Sequence, residues 1–276
     1  MGMISNLHAH TVRCRHASGT EREYVENALA AGLKTYGFSD HAPYPFPNGY
    51  VSGFRMACAQ QEDYVDTLLA LREEYKGQLD LKIGYEAEYY PKFFPDFLAM
   101  IRAYPIDYLI LGQHFIDNEI GAPYSGQTTD QEALLRRYVD QVSEGLDTGV
   151  FTYVAHPDLM NFVGKPAVFD KLYGRLIETA KKHGAPLEIN LLGIRDHRAY
   201  PHERFFALCG EIGAPVVIGC DAHQAEVAVD QPSCETALCI VEKYKLELVE
   251  NPVLRPVGAV TEEEYRRAKA AQEEKS

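Results

Sequence analysis

No apolar run in the 276 residues approaches the ~20 that a membrane-spanning helix needs. Met1 to His10 has no apolar core segment, so no secretory signal is expected there. Asn6 stands where N-myristoylation requires Ser or Thr. Positive charge is scarce: 27 Lys and Arg oppose 40 Asp and Glu, a net charge of −13. A surface this acidic repels nucleic-acid phosphates and anionic lipid over most of its area, which argues against nucleic-acid and membrane partners. A small anionic substrate stays possible, because a local metal cluster can invert the sign inside a pocket. The six cysteines (Cys14, Cys58, Cys209, Cys220, Cys234 and Cys239) show no CxxC spacing. Free thiols in a reducing, cytoplasmic setting are expected rather than a disulfide framework. Low-complexity segments and short-period repeats are missing too. What remains, 46% hydrophobic and 24% charged residues, is ordinary for a globular chain. At this length one core can bury roughly 70–75% of the unfolded surface.

Short apolar runs alternate with amphipathic helical patterns. Strands are expected at Met3–Leu7, Thr35–Ser39, Leu81–Tyr85, Tyr108–Leu111, Phe151–Ala155, Leu187–Asn190 and Val216–Gly219. Between them, Thr20-Glu21-Arg22-Glu23 reads as a capping box opening a helix that Gly32 stops. Tyr64, Leu68, Leu71 and Tyr75 share one helical face. Further helices are expected at Pro95–Arg102, Asp130–Asp147, Val168–His183 and His202–Cys209. Seven βα-type units imply parallel strands with helical crossovers. Closed, they give an α/β barrel related to the (β/α)₈ design with one unit fewer, spanning residues 1–260. Residues 261–276 form a charged helical tail packed outside it or frayed.

Ten histidines are present, and seven fall in a non-random place. His8, His10 and His16 follow the first strand, His41 the second, His114 the fourth, His156 the fifth and His223 the seventh. Glu86 closes the third, and Asp221 accompanies His223. The carboxyl ends of barrel strands converge on one basin, where such folds place their chemistry. Imidazole and carboxylate together suit zinc, iron or manganese. The i, i+2 spacing of His8-Ala9-His10 points both rings to the same side of an extended chain, and Asp221-Ala222-His223 repeats it. A carboxylate such as Glu86 can bridge two cations. A lone strand-end histidine is ordinarily a surface or hydrogen-bonded residue, but packing does not ask for the conjunction at six strand ends. His183, His197 and His202 lack such a position, and His183 suits a helix C-terminus.

The chain resembles the PHP (polymerase and histidinol phosphatase) family, in its histidinol-phosphatase branch. The likeness rests on Asn6-Leu7-His8-Ala9-His10-Thr11, Gly37-Phe38-Ser39-Asp40-His41-Ala42-Pro43, Ile83-Gly84-Tyr85-Glu86 and Leu111-Gly112-Gln113-His114. It continues through Val154-Ala155-His156-Pro157-Asp158, Leu187-Glu188-Ile189-Asn190 and Gly219-Cys220-Asp221-Ala222-His223. The resemblance implies a distorted (β/α)₇ TIM-like barrel carrying two to three divalent ions. It implies one site at His8, His10, Glu86 and Asp221, a second at Glu86, His114 and His156, and a third at His16, His41 and His223. The implied activity is hydrolysis of a small phosphomonoester, L-histidinol phosphate in histidine biosynthesis. Water held between two cations loses a proton near neutral pH and attacks phosphorus. Asp158 and His197 are the candidates for the acid that protonates the leaving oxygen. Arg195 resembles an arginine of this branch that contacts substrate phosphate, Asn190 belongs to the same segment, and Arg55 lies in a loop that could reach the basin. No arginine follows His156, where the branch leads one to expect it.

Three other readings stay open. Other PHP branches act on nucleotides or phosphodiesters. Amidohydrolase barrels also begin with His-x-His, but commonly bridge their metals with a carboxylated lysine, and no lysine ends an expected strand here. A non-catalytic metal-binding module would be expected to have lost ligands, whereas all nine matched positions are filled.

Overall fold

The computed structural model describes residues 3–273. Met1 and Gly2, and the last three residues of the expected tail, lie outside them. Seven parallel strands pair in sequence order: β1 (Ser5–Asn6), β2 (Thr35–His41), β3 (Asp80–Ala87), β4 (Tyr108–Leu111), β5 (Phe151–Val154), β6 (Leu187–Asn190) and β7 (Val216–Gly219). The helices are α1 (Glu21–Ala30), α2 (Gln61–Glu74), α3 (Phe94–Ile101), α4 (Glu132–Asp147), α5 (Pro166–Lys182), α6 (Leu191–Arg195), α7 (Glu203–Ile212), α8 (Gln231–Tyr244) and α9 (Glu262–Glu273). The expected seven-stranded α/β barrel is therefore present.

The seam between β7 and β1 is bridged near the carboxyl ends, and at the opposite end an added segment pairs with β7. Near the carboxyl ends, Ala9 bridges Ala222 in parallel, with His10 N–H donating to Ala222 O at 2.9 Å. At the opposite end, Leu248 bridges Val216 and Val249 N–H donates to Val216 O at 2.8 Å, so residues 247–249 occupy the eighth strand position. The first strand is shorter than the apolar run suggests. The side chain of Asn6 substitutes for ladder bonds there, its Oδ1 accepting from the N–H groups of His8 (3.2 Å) and Cys220 (2.9 Å).

Alternation along the strands splits the core in two. Leu81, Ile83, Tyr85 and Ala87 of β3 face the helices, with Phe38, Leu109, Leu111 and Ile189. Leu7, Tyr108, Ile110, Tyr153, Ala155 and Val217 fill the barrel interior, where the Tyr108 hydroxyl donates to Leu7 O at 2.8 Å. This plug closes the floor beneath the strand ends, leaving only the upper end open to polar chemistry.

Helix boundaries follow local chemistry. Thr20 and Glu23 form the expected capping box of α1. Pro opens α5 at its first turn, and two lysines near its C-terminus face the macrodipole. Two helices lie outside the sequence expectations: α6, of five residues, and α8, which buries the small side chains Ser233, Cys234 and Ala237. The tail helix α9 packs on α2, where Glu262 pairs with Arg72 and Tyr265 donates to Asp66. Among the described residues no helix is long and apolar enough to cross a membrane.

Candidate metal centre

The two i, i+2 motifs are held side by side. Ala9 and Ala222, both fully buried, form the bridge that closes the seam, so their neighbours His8, His10, Asp221 and His223 turn toward the same basin. The rings of His10 and His223 stack with centroids 4.0 Å apart. Asp221 Oδ1 lies 3.5 Å from His8 Nε2 and 3.1 Å from His10 Nε2.

Glu86 rises between them, its two oxygens facing different sets of nitrogens. Oε2 stands 3.6 Å from Nε2 of both His8 and His10 and 3.1 Å from His41 Nδ1. Oε1 is 2.7 Å from His156 Nε2 and 3.4 Å from His114 Nε2. Ligand atoms gather within 4.8 Å in overlapping groups, among them His8, His10 and Asp221; His10, His41 and Glu86; His8, Glu86 and His156; and His16, His41 and His223. All nine sequence-expected donors thus surround one basin.

Three buried carboxylates stand behind the ring of donors. Glu188 accepts from His8 Nδ1 (2.8 Å), from the His156 N–H (2.9 Å) and from Asn190 Nδ2 (2.8 Å). Asp40 faces His10 Nδ1 at 3.5 Å and accepts from the Thr11 hydroxyl. Glu88 accepts from His114 Nδ1 at 2.9 Å. His16 and His223 use backbone carbonyls instead, of Cys14 (2.9 Å) and Asp221 (3.2 Å). A carbonyl can only accept, so Nδ1 carries the proton in both and Nε2 keeps its lone pair.

The residues fit divalent cations. Among the described residues, buried Nε2 of His8, His10 and His223 and Nδ1 of His41 have no hydrogen-bond partner, although unsatisfied buried nitrogens are costly. Electrostatics point the same way. Burial lowers the pKa of His8 and His10, but Asp221, Glu86 and the carboxylates behind them outweigh it and raise both, His10 to about 9. Burial raises Glu86 and Asp221, yet the surrounding imidazoles hold both well below the usual carboxylate range. Burial and the neighbouring imidazoles keep His41 and His223 low, hence neutral and able to ligate. The donor set, imidazole with carboxylate, is that of a divalent-metal centre.

Two glycines make room for the carboxylates. A Cβ on Gly112 would lie 2.0 Å from Glu86 Oε1, and one on Gly219 would lie 1.8 Å from Glu188 Oε1. Above the donors is a cavity of about 160 Å³, walled by Phe54, Phe115, Tyr124, Leu159, Leu192 and Tyr200, with one guanidinium, that of Arg198. A second cavity, about 240 Å³, lies between α8 and the strands of the seam, lined by Met3, Ile218, Leu238 and Val249, and is almost wholly apolar.

The other sequence-expected residues lie elsewhere. Arg195 Nη1 donates to Asp230 Oδ2 at 2.8 Å, on the side of α8. His197 is exposed, on the turn after α6, and does not line the cavity. One oxygen of the buried Asp158 carboxylate accepts the His202 N–H, the other has no partner among the described residues, and burial pushes its pKa up to about 7. It anchors the turn that carries Tyr200. Arg55 is buried against Glu88 and Glu119 rather than facing the cavity. Asn190 holds Asp221 from behind (3.1 Å to Oδ2) and caps α6. His183 and His202 have structural roles: His183 pairs with Asp147, and His202 caps α7.

Comparison with known proteins identifies the family and the fold. Residues 6–192 match the PHP domain model. The chain is 34% identical over 233 residues to a probable histidinol-phosphatase of Deinococcus radiodurans, covering 80% of this chain and 86% of that one. It is 26% identical over 250 residues to the histidinol-phosphatase of Bacillus subtilis, covering 79% of this chain and 92% of that one. The fold matches the histidinol phosphate phosphatase of Lactococcus lactis, solved with zinc, L-histidinol and phosphate. The TM-score is 0.72 at 20% identity, over 92% of this chain and 100% of that one. The chain belongs to the PHP domain family.

Proposed function

We propose that this chain is a metal-dependent phosphomonoesterase that hydrolyses L-histidinol phosphate to L-histidinol and phosphate. The reading is carried by the convergence of nine donors on one basin, with the two oxygens of Glu86 split between opposite sets of imidazoles. Kinship over most of the chain with proteins named for that activity supports the substrate. Three divalent ions, of zinc, iron or manganese, would share the donors. His8, His10, Glu86 and Asp221 would hold one, Glu86, His114 and His156 a second, and His16, His41 and His223 a third.

Bound ions supply Lewis acidity, lowering the pKa of water toward ~7 and taking up charge on phosphoryl oxygens. The chain's own groups do the rest. Arg198, the guanidinium on the cavity wall, is the group placed to grip phosphate, its Nη2 leaving the exposed pair it makes with Asp196 at 3.1 Å. Tyr200 accepts from Arg198 Nη1 at 3.2 Å, which leaves its O–H free for another acceptor. Burial holds that phenol protonated, so it can deliver a proton to the departing oxygen. Phe54, Phe115 and Leu159 exclude bulk water from the attack.

Metal analysis beside turnover of a phosphomonoester panel containing L-histidinol phosphate tests this reading. Near-stoichiometric metal with no phosphate released from any member would sink it. Preference for a nucleotide would move the chain to another branch. Two arginine variants should separate: Arg198→Met is expected to raise KM by roughly 10-fold or more, the loss of a charge-assisted pair. Arg195→Met, which breaks the bond to Asp230 and a looser pair with Asp196 at 3.9 Å, should leave KM near wild type. The reverse order would return phosphate binding to Arg195.

A further inference from the structure

Arg55 is among the largest side chains buried in the protein, only 2% exposed, and all three of its guanidinium nitrogens donate. Nε donates to Glu119 Oε2 at 2.7 Å, Nη1 to Ala42 O at 2.9 Å and Glu88 Oε2 at 3.1 Å, and Nη2 to Glu88 Oε1 at 2.9 Å. Its plane lies over the Phe54 ring, 4.4 Å from the centroid. Each contact leads to the basin. Ala42 follows the donor His41. Glu88 Oε1 also takes the Nδ1–H of the donor His114. Phe54 packs edge-on against both of those rings, at 5.1 and 5.9 Å. Glu119, which Tyr50 also contacts at 2.9 Å, belongs to the loop between Phe115 and Tyr124, and the Phe115 ring packs on Phe54 with centroids 5.6 Å apart.

We propose that Arg55 is a positioning residue for the metal centre: by clamping Glu88 it fixes the ring of His114, with Nε2 aimed at Glu86, and it holds Phe54 against the same corner. The physical reason lies in the geometry of the fork. Glu88 is held at both oxygens by one planar cation, so its carboxylate cannot rotate about its last bond. The acceptor for His114 Nδ1 is therefore fixed in space, and with it the tautomer and the orientation of the ring. His114 needs such a brace more than His8 and His10, because its side chain is 12% exposed where theirs are fully buried and packed. A lysine could neutralise Glu88 but could not hold both oxygens and Glu119 at once.

The inference rests on the proposed metal assignment and not on the substrate, so it is tested by metal affinity. Zn²⁺ is titrated into metal-free protein against a chromophoric chelator, with thermal melts run in parallel. Arg55→Met and Glu88→Gln should each weaken one metal equivalent by roughly 10–100-fold, the usual consequence of losing a group behind a ligand. The double variant should be no worse than the singles, because both act through His114. Arg55→Lys should recover part of the loss. Wild-type affinity at every equivalent in a folded Arg55→Met protein would overturn the proposal, as would single effects that simply add. Should Arg55→Met fail to fold, Glu88→Gln carries the test alone, and unchanged affinity there overturns it. A selective loss of affinity in a protein that never turns over L-histidinol phosphate would leave the brace standing and remove only the substrate reading.

Discussion

Glu86→Gln should abolish turnover while leaving the barrel folded. The substitution keeps shape and volume but replaces one oxygen with an amide nitrogen that cannot ligate a cation, and it removes the negative charge. Glu86 serves more donor groups than its neighbours: its oxygens lie within 3.6 Å of His8, His10, His41, His114 and His156. Loss of one preorganised donor at an ordinary active site costs roughly 10²–10³ in kcat. Here a single change disturbs two proposed ion sites together, so kcat should fall by more than that and bound metal by more than one equivalent. Far-UV circular dichroism should keep its wild-type shape, because the interior beneath Glu86 is held by Tyr108, Ile110 and Tyr153 without it. Measurement of kcat, metal content and dichroism on the same preparation decides the matter. Wild-type kcat would mean that Glu86 does not bridge, and the assignment of donors to ions would have to be redrawn.

The donors were legible in the sequence for a specific physical reason. A parallel barrel delivers every strand's carboxyl end to one place, so a histidine or acid at the end of each apolar run is a spatial statement as well as a local one. The strands at Tyr108–Leu111, Leu187–Asn190 and Val216–Gly219 are bounded sharply enough by turn residues to be read to the residue. The groups behind the donors were not legible. Arg55 finds Glu88 33 residues away and Glu119 64 residues away, separations over which neither periodicity nor spacing carries information. Glu188 left a fainter signal: it sits two residues before Asn190 on β6, and alternation puts both on the inner face.

The arginines show the same limit at short range. Arg195 and Arg198 are three residues apart, and the family resemblance points to the first. Arg195 ends α6, and the chain then turns through the positive φ of His197 (52°). That turn, together with Asp158 holding the His202 N–H, returns Arg198 and Tyr200 to the basin while Arg195 is left facing Asp230. A left-handed residue in a five-residue excursion leaves no hydrophobic pattern from which its direction could be read.

Gly112→Ala should empty the centre of much of its metal by adding one methyl group. Gly112 follows β4, and its N–H donates to Ala87 O at 3.2 Å, which holds its backbone beside β3. An alanine Cβ at that position would fall 2.0 Å from Glu86 Oε1 and 2.7 Å from Cδ, distances no pair of atoms tolerates. Two things could yield: the paired backbone of β3 and β4, or the Glu86 side chain. The carboxylate is the free end of a flexible chain, whereas shifting β4 would break ladder bonds on both its edges. Glu86 therefore moves, and a donor displaced by an ångström or more no longer meets His10, His41 and His156 together. The expected result is a protein with a melting temperature close to wild type when both are compared free of metal, a loss of bound metal like that of Glu86→Gln, and kcat reduced by at least about 100-fold. A matched change at Gly149, whose Cβ would meet open space, serves as the control for handling an exposed glycine in the left-handed region (φ 75°). It should lower stability through backbone strain and leave metal content intact. Full metal loading and wild-type kcat in Gly112→Ala would show that Glu86 has another seat, and the close approach of β4 would then be a matter of packing alone.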